Sequence, residues 1–188
     1  MALPDSLKYT VGTSIVLADT TDHAPAAANN LGTRTDQIDC TSLAAGAARE
    51  SDKIDFGANM DVEYVLSAAI EFATAPTAGE VVNFYMGYSN NATAATANPG
   101  GLSGSDAAYT GYSSNLADSL KQLTFLGSMM LTVQATGTVQ IATAIGTFSP
   151  RERYGILVVE NASAADAFHS DMVETSFVLQ PRVMQVQD

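Results

Sequence analysis

The chain has 188 residues, with 8 Lys+Arg against 20 Asp+Glu, a formal charge of −12 and a single cysteine. This length holds one domain with a core that needs no covalent staples. The charge leaves little basic material for a nucleic-acid groove, and one thiol excludes both an intramolecular disulfide and a cysteine-rich zinc site.

The opening "MALPDSLKYTVGTSIVLADTT" lacks the basic start and apolar block of a secretory signal. No run reaches the roughly 18 apolar residues of a membrane span. The expected place of synthesis is the cytoplasm of the producing cell. Residues 1–41 read as an extended arm or long loop with one β segment, "TSIVLAD" from Thr13 to Asp19, followed by a stretch rich in Ala, Asn, Asp and Thr. Cys40 reads as a small buried hydrophobe.

From residue 42 to 188 the signals are those of a β-sandwich domain. "ARESDKIDF" (Ala48–Phe56) is followed by "DVEYVLSAAIEFAT" (Asp61–Thr74), where Val62, Tyr64, Leu66, Ala68, Ile70 and Phe72 alternate onto one face. "VVNFYMGYS" (Val81–Ser89) is aromatic and β-branched. Four further strands are expected over Leu120–Val133, Thr138–Phe148, Tyr154–Asn161 and Met172–Val186, the last bent, bulged or at an edge at Pro181. "NLADSLKQL" fits a helical turn after Asn115, capped by Ser113 or Ser114. The expected inward set is Val62, Tyr64, Leu66, Ile70, Phe72, Val82, Phe84, Leu123, Phe125, Ile141, Ile156, Val158, Phe177 and Leu179. The fold class is therefore all-β, an eight-stranded sandwich with an extended N-terminal arm; closed barrel and jelly roll both fit the count.

Groups for chemistry are sparse. His23 and His169 each sit beside an aspartate without a metal-motif partner, and read as turn histidines. "GLSGS" is not a nucleophile elbow, and Asp19, Asp22, Asp36 and Asp39 lack the spacing of a calcium loop. Glu50, Asp52 and Asp55 beside Arg49 and Lys53 read as a solvated face of mixed charge. No catalytic residue, cofactor or metal is expected.

The features that ask for partners are the arm and the loop "NPGGLSGSDAAYTGYSSN". Tyrosine offers large contact area at low entropy cost, so Tyr109 and Tyr112, with Leu102 and Asn115, are the candidate partner contacts.

Four segments carry a resemblance: "SLAAGAARESDKIDFG" (Ser42–Gly57), "EFATAPTAGEVVNFYMGYSN" (Glu71–Asn90), "GSDAAYTG" (Gly104–Gly111) and "SPRERYGILVVENAS" (Ser149–Ser163). Over residues 42–188 the chain resembles small virion structural proteins of tailed bacteriophages and prophages. The resemblance implies a jelly-roll or similar sandwich, present in many copies, and a virion location. It also implies partners among the major capsid protein, other virion proteins and copies of the chain itself, with no nucleic acid and no membrane. The leading expectation is a capsid decoration or cement protein; a tail or neck component and a host-glycan-binding module are the alternatives. A gel shift with duplex DNA at physiological salt should show no retention, since few counterions would be released; salt-sensitive micromolar binding would refute this.

Overall fold

A computed structural model describes residues 7–58 and 63–186. Among them are twelve strands and little helix, arranged as two mainly antiparallel sheets packed face to face. The strands are β1 (Leu7–Val11), β2 (Ile15–Ala18), β3 (Asp36–Gln37), β4 (Ala48–Glu50), β5 (Ile54–Asp55), β6 (Glu63–Ile70), β7 (Val81–Ser89) and β8 (Ala107–Tyr109). After the short helix α1 (Leu116–Leu120) come β9 (Thr124–Met130), β10 (Gln140–Phe148), β11 (Tyr154–Asn161) and β12 (Ser176–Val186).

One sheet has the order β10-β6-β12-β2-β3, with β1 also paired to β12. The other runs β8-β4-β11-β7-β9, with β5 also paired to β11. All pairs are antiparallel except β2 with β3. Eight strands were expected; the additional short ones are β1, β3 and β8, and "ARESDKIDF" divides into β4 and β5.

The expected arm is corrected by the pairing. Residues 7–41 supply β1, β2 and β3 to the first sheet, and Leu17, Ile38 and Cys40 are buried in the main core. Their strands are too short and too polar around them to show a period, so only β2 was visible in the sequence. The first six residues lie outside the described residues.

Pro181 lies within β12, well inside the sheet. On one side β12 pairs with β6 throughout Ser176–Arg182; on the other it pairs with β2 up to Leu179 and with β1 from Arg182 onward. Pro181 occupies the gap where the partner changes, so its missing amide donor interrupts no ladder, and its carbonyl accepts from the Gly12 amide at 3.1 Å. A Cβ on Gly12 would meet the Pro181 ring at 2.9 Å, which explains a glycine at this crossing.

The core between the sheets contains Tyr64, Leu66, Ala68, Ile70 and Phe72 from the alternating stretch, together with Val82, Phe84, Met86, Phe177 and Leu179. Phe56, Tyr64 and Phe148 form an aromatic trio, while Phe84 meets Phe177 edge to face with centroids 5.8 Å apart. Val62, also expected here, lies outside the described residues.

Five of the expected inward positions do not face the main core. Phe125 is 55% exposed and Ile141 46% exposed. In β9 a bulge falls between the partners of Phe84 and Tyr85, so Leu126 turns into the core where strict alternation would put Phe125. In β10 the inward position belongs to Gln140, whose amide bonds both the amide and the carbonyl of Thr132, so its neighbour Ile141 faces out. Ile156 and Val158 are fully buried, but on the side of β11 away from the main core; Leu157 and Val159 face inward. Leu123 joins Ile156 and Val158 in that second cluster.

Leu126→Ala should cost about 2–5 kcal/mol in a denaturant titration by opening a cavity, whereas Phe125→Ala should cost about 1 kcal/mol or less. The reverse ranking would show that the bulge is misplaced.

Candidate interaction surfaces

The long loop after β7 folds back on the outer face of the second sheet. Its Leu102, Tyr109, Leu120 and Leu123 cover Ala48, Ile156 and Val158, making a second apolar cluster outside the main one. β8 within the loop continues the sheet by pairing with β4, residue Ala48 opposite Tyr109. The Tyr109 hydroxyl donates to the Gly100 carbonyl at 2.6 Å, and burial pushes its phenol up to about 12.

The loop is fastened by the charged stretch read above as a solvated face. Glu50 is 3% exposed, and its carboxylate accepts from the Ser103 and Gly104 amides. Burial raises its pKa against the pull of those donors. Arg49 Nε bonds Asp106 Oδ1 at 2.6 Å, and Asp52 accepts from the Asp106 amide at 2.8 Å. Lys53 Nζ donates to the Asn91, Thr93 and Thr96 carbonyls and to Ser89 Oγ at 2.8–3.1 Å. Asp55 accepts from Nε and Nη2 of Arg153, one bond to each carboxylate oxygen. Gly104 has φ +73° and its missing Cβ would strike the Ala94 carbonyl, so no other residue fits where the two halves of the loop cross.

The four candidate contact residues therefore separate. Tyr109 and Leu102, at 2% and 6% exposure, are buried within the chain, which corrects their expected place on a contact surface. Tyr112 is 54% exposed and Asn115 is exposed. Asn115 is also the cap of α1, accepting from the Asp118 amide, in place of Ser113 or Ser114, which have positive φ. The two histidines each join a separate local network: His23 with Asn30 and the Gly32 carbonyl, His169 with Asp171 and, at 3.7 Å, Glu71. Asp19 and Asp39 accept turn amides, and no group of three or more His, Cys, Asp or Glu side chains is placed to hold a metal among the described residues.

A different surface stands out. Of the six exposed large hydrophobic residues among the described residues, four (Phe125, Met130, Val133 and Ile141) fall on β9, β10 and the turn between them. Residues 122–150 contain no Asp, Glu, Lys, Arg or His, the longest charge-free run in the chain. Sequence reading placed two of these side chains in the core, and the signal that was available was the missing charge.

Two measurements check this geometry. Tyr109→Phe should cost about 1 kcal/mol in stability by leaving the Gly100 carbonyl without its buried donor, while Tyr112→Ala should stay within about 0.5 kcal/mol. Equal losses would contradict the folded-back loop. Burial pushes the Asp106 carboxyl up, but Arg49, the Asp39 amide and Gln37 hold it below its ordinary 3.8. A depressed carboxylate pKa means that the folded state favours the ionised form. Its contribution is thus complete above 3.8 and lost as pH falls through the lower folded value. The melting difference between wild type and Asp106→Asn should accordingly hold at neutral pH and shrink as the pH falls below about 4. No protein-family model and no curated protein matches the chain.

Proposed function

We propose that this chain is a structural protein of a bacteriophage virion, a decoration or cement protein that binds the assembled shell, and that its sandwich is a jelly roll. The observation that carries the reading is strand order. Taking β4 with β5 as one strand, the eight principal strands follow the chain as β2, β4/β5, β6, β7, β9, β10, β11 and β12. In space they lie as β2-β12-β6-β10 in one sheet and β4-β11-β7-β9 in the other. This order, with neighbouring strands joined across long connections, supports the double Greek key of a jelly roll, an architecture that recurs in viral capsid and lectin domains.

Fold alone names no activity. Three further features favour the structural role. The four segments that resemble virion proteins all fall on the second sheet, its adjoining loops and the strand ends that pack on it. The acidic composition favours solubility before assembly. The long loop that looked free is occupied in covering its own sheet, leaving the uncharged β9–β10 flank and Tyr112 as the surfaces open to other chains.

Quantitative mass spectrometry of purified virions should find the chain at a copy number comparable with that of the major shell protein. Particles assembled without it should release their contents at lower temperature, because a cement binds the assembled state preferentially. A copy number fitting only one or a few rings, with particles equally stable in its absence, would replace the cement reading by a tail or neck component.

A further inference from the structure

Beside the folded-back loop, β7, β9 and β11 carry a row of side chains on the outer face of the second sheet. In register, Glu160 of β11 stands opposite Asn83 of β7, Asn83 opposite Ser128 of β9, and Tyr85 opposite Phe125. α1 lies along one side, with Ala117 and Lys121 on the wall, and leaves an open groove of about 570 Å³ over Asn83, Tyr85, Phe125 and Glu160. That volume falls within the roughly 300–1,000 Å³ of small-molecule sites, which set a few converging polar groups among apolar ones.

The polar groups of the groove hold one another in place. Ser128 Oγ donates to Asn83 Oδ1 at 2.6 Å, while Asn83 Nδ2 and the Tyr85 hydroxyl both donate to Glu160 Oε2, at 2.9 and 3.0 Å. Among the described residues nothing bonds Glu160 Oε1, so the carboxylate keeps an acceptor, and the Asn83 amide keeps its second hydrogen as a donor. Burial, and then the neighbouring carboxylate, push the Tyr85 phenol up, so it stays a donor. The Phe125 ring meets Tyr85 edge to face with centroids 5.4 Å apart and is 55% exposed.

Charge and shape decide what this groove takes. An anion would meet the Glu160 carboxylate in a chain of net charge −12. A cation would meet the Lys121 ammonium on the wall, and Glu160 Oε2 already holds two donors. A neutral pyranose meets neither charge: it lays C–H bonds against the electron-rich face of an aromatic ring and turns hydroxyls, which both donate and accept, toward flanking polar groups. We propose that the groove over Asn83, Tyr85, Phe125 and Glu160 is a binding site for a neutral saccharide, with Phe125 as the stacking platform and Glu160 and Asn83 as the hydroxyl partners. Cleaving a glycosidic bond takes two carboxyl groups, and Glu160 is the one carboxylate lining the groove among the described residues, so the sugar is held and released intact. This inference stands on the groove alone and is independent of the virion reading.

The full chain, presented multivalently on beads over an array of neutral, sialylated and sulfated oligosaccharides, should mark the neutral glycans in preference. Titrating the best of these into the free chain, followed by NMR shifts of the labelled protein, should give a Kd of roughly 0.1–1 mM, as suits an open groove. Phe125→Ala and Glu160→Gln should each raise Kd about tenfold or more, and Phe125→Tyr should bind nearly as wild type. Val11→Ala, on the other sheet and 74% exposed, should leave binding unchanged. Ala117→Trp, at an exposed position on the wall, should fill the groove and abolish binding, and an unaltered thermal melt separates blockage from misfolding. An array on which no neutral glycan is bound overturns the proposal, as does binding confined to sialylated or sulfated ones. A bound sugar indifferent to Phe125→Ala and Ala117→Trp also overturns it, because the contact then lies elsewhere. None of these outcomes alters the copy number in virions, so failure here leaves the structural reading in place.

Discussion

The clamp made by residues 49–55 governs how the second sheet is finished. Five charged residues on β4, β5 and the link between them reach into the loops on either side: Arg49 to Asp106, Glu50 to two loop amides, Asp52 to a third, Lys53 to three carbonyls, Asp55 to Arg153. A buried carboxylate such as Glu50 is costly alone and stable once its oxygens are bonded to amide donors. The loop supplies those donors, and the carboxylate in return fixes a backbone that has no regular ladder of its own for most of its length.

With the loop held in place, β11 becomes a strand covered on both faces. Leu157 and Val159 face the other sheet, and Ile156 and Val158 face Leu102, Tyr109 and Leu123. An antiparallel strand open to water on one side would alternate apolar and polar; the unbroken "ILVV" is the mark of a strand buried twice. The sandwich is thus three layers deep at this point, sheet, sheet and loop, and two layers deep along the β9–β10 flank, where no loop lies over Phe125 and Met130.

Much of this was legible before any coordinates. Strands β7 and β11 match the expected stretches end to end, and the alternation around β6 places Tyr64, Leu66, Ile70 and Phe72 in the core as read. Those segments carry their own periodicity. What the sequence concealed depended on partners distant in the chain. A bulge that exchanges Leu126 for Phe125 leaves no trace in alternation, and Gln140 points inward only because Thr132 offers it both a donor and an acceptor. Residues 7–41 looked like an arm because β1 and β2 are each completed by β12, more than a hundred residues away. The candidate contacts divided for the same reason: Tyr109 is buried by a β8–β4 pairing too short to be read, whereas Tyr112, just beyond it, remains at the surface.

The ammonium of Lys53 holds the turn at residues 91–96 by gathering three main-chain carbonyls and a hydroxyl, the kind of oxygen cage that in many loops is filled by a metal ion. Here the cation arrives on a covalent stem from the link between β4 and β5. It cannot be removed by a chelator, diluted away or exchanged for a competing ion, and it is in position as soon as β5 has paired. The turn is therefore as durable in an ion-poor medium as in an ion-rich one.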